Sequence, residues 1–165
     1  HRLCSSFGST VIWDPGVYAG LGTEALSPTL KYVDYFVLNH LEFENFTGTS
    51  DPGEVGEMLK SENPGLKGIM KRGSEGSIMC GSGHDDPLVM EAVPLERLGM
   101  SVVNTVGCGD AFIGAFAAAK VQGSSDAESL RQGCAAGSFK ATRKEARGGP
   151  TAEEFESILE KWAAL

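Results

Sequence analysis

The stretch Asn104 to Phe112, which reads Asn-Thr-Val-Gly-Cys-Gly-Asp-Ala-Phe, carries the residue types most able to do chemistry. Gly107, Cys108 and Gly109 form a tight turn, Asp110 follows at once, and the almost wholly apolar run from Ala111 to Val121 predicts a buried helix. Two glycines let the backbone fold so that successive amides point into one cavity at the helix N-terminus, where the donors and the helix dipole both favour an anion. A carboxylate at the edge of that cavity can accept the proton of an attacking hydroxyl, so the pattern suits phosphoryl transfer. The same residues also suit a plainer role, a glycine turn packing a helix onto a sheet with Asp110 as its cap. A bare Gly-x-Gly-Asp does not separate the two.

Asn39 and Glu42 form a second pair. Standing three residues apart where an apolar strand gives way to a helix, they can face one cavity, and an amide with a carboxylate suits a hydrated magnesium ion beside nucleotide phosphates. The same spacing serves equally well for helix capping.

The elements that must position these residues alternate along the chain as strand and helix, which predicts an α/β fold with a mostly parallel sheet flanked by helices. Thr10 to Trp13 reads as a short buried strand, Thr23 to Val33 as a helical stretch interrupted by Pro28, and Tyr35 to Leu38 as a central parallel strand. Asp51-Pro52-Gly53-Glu54 supplies a cap, a first-turn proline and an acid at capping distance, so a helix starts there. Gly68 to Arg72 and Ser77 to Cys80 flank a glycine turn and predict a hairpin, Gly81 to Pro87 a polar loop, and Leu88 to Val93 a further strand. Ser125 and Thr151 each stand three residues before a glutamate and open the last two helices. In the second of these, Phe155, Ile158, Leu159 and Trp162 fall on one stripe. With no internal repeat and no evident linker, residues 1–165 read as a single domain.

Composition excludes several classes. Apolar residues make up 41% of the chain, enough for a core, and no apolar run approaches membrane-spanning length. Fourteen Lys and Arg against 22 Asp and Glu give a net charge of −8, which speaks against nucleic acid as a partner. The four cysteines, Cys4, Cys80, Cys108 and Cys134, show neither paired spacing nor neighbouring histidines, so reduced and mostly buried thiols and a cytoplasmic location are expected.

Four segments in order resemble the ribokinase/phosphofructokinase-B family of small-molecule kinases. Asn104 to Phe112 is similar to its Asp-Thr-x-Gly-Ala-Gly-Asp-x-Phe signature, and Val11 to Pro15 to its apolar strand ending in Asp-Pro. Tyr35 to Gly48 resembles its strand closing on Asn-x-x-Glu, and Gly68 to Gly76 its strand entering Thr-x-Gly-x-x-Gly. The resemblance covers the C-terminal portion of a family member, so it implies a ribokinase-like fold truncated at its N-terminal side, with the substrate and lid part absent upstream. The opening His1-Arg2-Leu3, without methionine, fits a processed or cut piece.

By that resemblance Asp110 is the general base and the amides of Gly107, Cys108, Gly109 and Asp110 form the anion hole, with Cys108 standing where the family usually has Ala and serving only through its backbone. Asn39 and Glu42 then organise magnesium and phosphate through water, and Gly73 and Gly76 let the backbone approach the nucleotide. Lys71 replaces a usual Thr, either bringing a cation near the phosphates or changing a surface contact. Ala136, Gly137 and Lys140 lie on the helix that borders the adenine site in the family, although a small-residue helix face also serves helix packing. Asn104 departs from the family's usual Asp, which weakens the case for the monovalent cation (K+) that many members hold there. The implied function is ATP- and Mg2+-dependent phosphorylation of a sugar or nucleoside, with a homodimer or the missing N-terminal part as protein partners. The alternative is a non-catalytic descendant of the fold that acts as an interaction module.

Overall fold

A computed structural model describes residues 8–165, so the expectations for His1 and Cys4 lie outside the described residues. Five strands form one sheet in the order β1 (Ile12–Trp13), β2 (Tyr35–Asn39), β3 (Lys67–Lys71), β4 (Ser77–Gly81) and β5 (His84–Met90). The first three are parallel, with Ile12 opposite Tyr35 and Tyr35 opposite Lys67. Residues 72–76 and 82–83 are too few for the crossover that parallel neighbours need, so β4 turns back on β3 and β5 turns back on β4. The expected α/β class, a mostly parallel sheet flanked by helices, is what is found.

The chain packs as two compact units, one running to Arg72 and taking in Ile78–Val89, the other made of Gly73–Ser77 and Met90–Leu165. In the first unit the helices are α1 (Gly22–Leu30), α2 (His40–Thr47) and α3 (Pro52–Glu62). Its core gathers on Phe36 of β2, which is fully buried and meets Trp13, Phe43 and Phe46 at ring-centroid distances of 5.5, 5.9 and 5.2 Å. Such offset and edge-on arrangements add to what apolar burial alone supplies. Asp51 caps α3 by accepting from the Glu54 N–H at 2.9 Å, with Pro52 in the first turn, as the sequence predicts. Pro28 lies inside α1, which ends at Leu30 rather than Val33.

The expected strand at Leu88 to Val93 is misplaced. Strand β5 begins at His84, inside the segment predicted as a loop, and stops at Met90. Its place at the end of the strand order explains the error: an edge strand tolerates Pro87 and sends polar residues such as Asp85 and Asp86 to solvent, so the apolar signal is weak.

In the second unit a 3-10 turn at Leu95–Leu98 precedes α4 (Cys108–Val121), α5 (Asp126–Ala141) and α6 (Ala152–Ala163). Val93, Leu95, Ala135, Phe139, Ala141 and Ile158 form its core, with Phe155, Leu159 and Trp162 of the predicted stripe packed against it. Thr151 and Glu154 complete a reciprocal capping box on α6. Ser125 caps α5, but Glu128 does not return the bond; its carboxylate turns to Arg131, which holds it below the usual carboxylate range. Helix α4 corrects the expectation of a buried helix, since only Phe112, Phe116 and Ala119 are buried and Val121 is 89% exposed. Its apolar composition comes largely from alanines, which take either environment with little penalty.

Phe36→Ala should cost about 3–5 kcal/mol of unfolding free energy, since it removes a ring that three aromatic neighbours enclose. Phe36→Leu should cost less, and urea unfolding of the two variants measures the difference.

Candidate functional site

In the first unit the C-terminal ends of the parallel strands bring Asp14, Asn39 and Lys71 to one sheet edge. Asn39 and Lys71 are register partners, and Asp14 follows directly on β1. This is the edge at which open α/β sheets receive ligands. The Lys71 ammonium reaches across the end of β2 and donates to Asp14 Oδ2 at 2.7 Å, with the two side chains 18% and 24% exposed. The other Asp14 oxygen accepts from the Gly16 N–H at 2.8 Å. Of the two roles the sequence leaves open for Lys71, the ion pair favours an altered structural contact, because its charge is already matched.

Asn39 and Glu42 form a complete capping box on α2. The Glu42 N–H donates to Asn39 Oδ1 and the Asn39 N–H donates to Glu42 Oε2, both at 2.8 Å. The capping role offered by the sequence is thus realised, and Glu42 keeps its other carboxylate oxygen for a further contact. Among the described residues no cluster of three or more His, Cys, Asp or Glu could hold a metal. A magnesium ion that keeps most of its waters needs only one or two carboxylates besides phosphate, so Glu42 alone fits an outer contact to it.

In the second unit the glycine turn opens α4 as predicted. Gly107 is the residue before the helix, in the left-handed region at φ +84°, and a Cβ there would lie 2.4 Å from the Ala146 carbonyl oxygen. Only glycine satisfies both conditions. The Ala111 N–H closes the first helical bond onto Gly107 O at 3.0 Å. The Cys108 N–H donates to Thr105 O at 3.2 Å, which corrects the expectation of four open amides at this turn. The N–H groups of Gly107, Gly109 and Asp110 have no protein acceptor among the described residues, as befits the start of a helix. Asp110 is exposed beside them. Burial raises the Cys108 thiol above its ordinary range and the charge of Lys140 draws it partly back, so Cys108 stays a thiol at neutral pH.

Lys140 lies in the interior of its unit rather than on an open helix surface. It is 1% exposed, the one buried charged side chain among the described residues, and its Nζ donates to Asn104 O at 3.1 Å. Its Cε would lie 3.6 Å from a Cβ on Gly107, so it runs directly behind the turn. The sequence shows one sign of this: Lys140 sits between Phe139 and Ala141 in a run of small and apolar residues. Gly137 and Ala136 are part of the packing between α4 and α5. A Cβ on Gly137 would come within 3.2 Å of Cys108 O, and Ala136 is 2% exposed. Asn104 fills its own polar atoms locally: Nδ2 donates to Lys144 O at 2.8 Å and Oδ1 accepts from the Val106 N–H at 3.0 Å.

Gly73 and Gly76 separate in role. Gly76, at φ +90°, lies against its own chain, where a Cβ would meet Met90 O at 2.0 Å, while Gly73, at φ +60°, has open space around it. The close approach expected at Gly76 is therefore to the backbone of residues 90–92. Cys80 and Cys134 are buried free thiols, which burial pushes up to about 12 and about 11.

Parallel strands feeding helices define an α/β protein; one unit carries Asn39 and Glu42 at its strand ends, and the other a helix start with open amides beside Asp110. Residues 4–153 match the profile of the pfkB family carbohydrate kinase, and the chain belongs to that family. It is 34% identical over 138 residues to a ribokinase of Arabidopsis thaliana, an alignment covering 80% of this chain and 34% of that protein. Among solved structures it resembles Arabidopsis thaliana ribokinase complexed with ribose and ATP, with a TM-score of 0.82 at 26% identity, over 96% of this chain and 50% of that one. It also resembles the ribokinase of Thermotoga maritima, with a TM-score of 0.77 at 26% identity, over 96% of this chain and 52% of the other. The chain thus spans 34% of the length of its curated relative and about half of the solved ones.

Gly73→Ala should cost about 1–2 kcal/mol through its positive φ alone. Gly76→Ala adds a backbone collision and should cost clearly more, and urea unfolding midpoints should rank the two in that order.

Proposed function

We propose that this chain is the nucleotide-binding and catalytic portion of an ATP-dependent kinase that phosphorylates a hydroxyl of a small molecule, a sugar in preference to a nucleoside. The observation that carries the reading is the set of open amides of Gly107, Gly109 and Asp110 at a helix start, with an exposed carboxylate in the same turn. The relative complexed with ribose and ATP supports sugar as the acceptor class.

In the proposed reaction Asp110 accepts the proton of the acceptor hydroxyl as that oxygen forms its bond to the γ-phosphorus, and the bond to the ADP oxygen breaks. The three open N–H groups face the charge that spreads over the migrating phosphoryl oxygens, with the α4 dipole behind them. The Cys108 N–H joins only by giving up its bond to Thr105 O. Glu42, through its second oxygen and a water, would hold a magnesium ion, which when bound neutralises phosphate charge. Gly73 leaves room for a nucleotide to approach the backbone, whereas Gly76, Ala136 and Gly137 serve packing and Lys71 serves its ion pair.

The acidic chain holds no helix among the described residues long and apolar enough to cross a membrane. The cytoplasmic location expected from the unpaired cysteines remains part of the proposal.

In the protein at its natural length, Asp110→Asn should lower kcat by about 10²–10⁴ while MgATP affinity, measured calorimetrically, stays within a few-fold. A variant of unchanged kcat would remove Asp110 from the reaction. No heat with millimolar MgATP on the unaltered protein would instead favour an interaction module that keeps the fold without the chemistry. Glu42→Gln preserves the capping geometry, since an amide oxygen can replace the carboxylate. It should raise the magnesium concentration needed for half-maximal activity with little change in thermal stability.

A further inference from the structure

The monovalent cation implied by the family resemblance does not fit the residues around position 104. Both oxygens of Asn104 already accept hydrogen bonds, Oδ1 from the Val106 N–H and the main-chain oxygen from the Lys140 ammonium. Its amide nitrogen is turned to Lys144 O. Asn104 carries no negative charge, and a fixed ammonium stands where a second cation would be repelled.

Lys140 itself needs explaining. A buried charge is costly unless it is paired, and among the described residues no carboxylate pairs with this one. An ammonium has three donors, and Asn104 O takes one of them. It lies behind the first turn of α4, the positive end of the helix dipole, where a cation is disfavoured and an anion favoured. Its field reaches the first helical residue, since its charge acts on the Cys108 thiol. Buried ammonium, open amides and helix start therefore all add positive potential at one turn, in which Asp110 is the one carboxylate.

We propose that Lys140 is a built-in cation for this turn: it pins the Asn104 carbonyl, holds residues 104–107 in place and charges the amide cradle from behind, so that phosphate binding here needs no free potassium or sodium. Lys140 is a positioning residue, since it acts through the turn. The inference rests on the phosphate-binding role proposed above, and its test separates the two.

The experiment compares the unaltered protein at its natural length with Lys140→Ala, Lys140→Met and Lys140→Arg, each in KCl and in choline chloride of equal ionic strength. Two quantities are read: MgATP affinity by calorimetry and the thermal midpoint without nucleotide. The unaltered protein should behave alike in both salts. Lys140→Met, an uncharged side chain of similar length, should lose about tenfold or more in MgATP affinity in either salt. Lys140→Ala leaves a vacancy, so its affinity and midpoint should fall in choline and recover in KCl, whereas Lys140→Met should show no recovery. Lys140→Arg should retain indifference to the salt.

Higher affinity or midpoint of the unaltered protein in KCl overturns the proposal, as does Lys140→Met binding MgATP as tightly as the unaltered protein. Should Lys140→Met fail to fold, the comparison of Lys140→Ala between the salts decides alone, and equal loss in both overturns the inference. Should the unaltered protein bind no MgATP, the phosphate-binding reading fails. The thermal midpoints of Lys140→Ala then still decide whether potassium replaces the ammonium.

Discussion

Everything at the start of α4 depends on the backbone of Gly107 lying against the carbonyl of Ala146 at a left-handed φ. That contact leaves no volume for a side chain, so the turn packs directly on the main chain of Ala146. Of the first helical amides, that of Cys108 reaches Thr105 O, while those of Gly109 and Asp110 have no protein acceptor among the described residues. Helices usually satisfy such donors with a side-chain cap. Ser125 and Thr151 do so for the next two helices, while Gly107 has no side chain with which to cap α4. The three open donors follow from a packing requirement behind the turn, and any use of them by an anion follows from that in turn.

Charge is handled differently in the two units. At the strand ends of the first, Lys71 and Asp14 neutralise each other at 2.7 Å and Asn39 and Glu42 satisfy each other's backbone. Such mutual pairing fixes geometry and leaves little net field. In the second unit Lys140 has a carbonyl as its named partner and the helix dipole adds to its charge. The first arrangement stabilises a scaffold edge, whereas the second sets a buried positive charge behind a turn whose one carboxylate, Asp110, is exposed to solvent. The overall charge of −8 says little about this turn, because solvent and salt screen carboxylates on the surface more than an ammonium buried behind it.

What could be read before the fold was known divides along the same physical line. Caps and the central strand were legible because their signals are local: Asp51, Ser125 and Thr151 lie within four residues of the amides they bind, and Tyr35 to Leu38 is apolar throughout. The glycine turn was legible as well, since its residues are contiguous. The edge strand β5 was not, because its polar alternation resembles that of a loop. Nor were the long-range partnerships. Asp14 and Lys71 are 57 residues apart, and Asn104 and Lys140 are 36 apart. No periodicity joins such pairs, and only the strand order and the approach of α5 to α4 bring them together.

The small residues of α5 acquire their meaning through that approach. Gly133 lies under the Phe112 ring and Gly137 against Cys108 O, where an added Cβ would come within 2.9 Å and 3.2 Å of them. Packing this tight sets the depth at which a side chain one residue-run further along α5 can reach, and Lys140 is the residue whose stem crosses behind Gly107. A wider separation would let water reach the ammonium and screen its field. The glycine face and the buried lysine are therefore one device: close helix packing excludes solvent, and exclusion of solvent is what lets a single positive charge act on the turn in front of it.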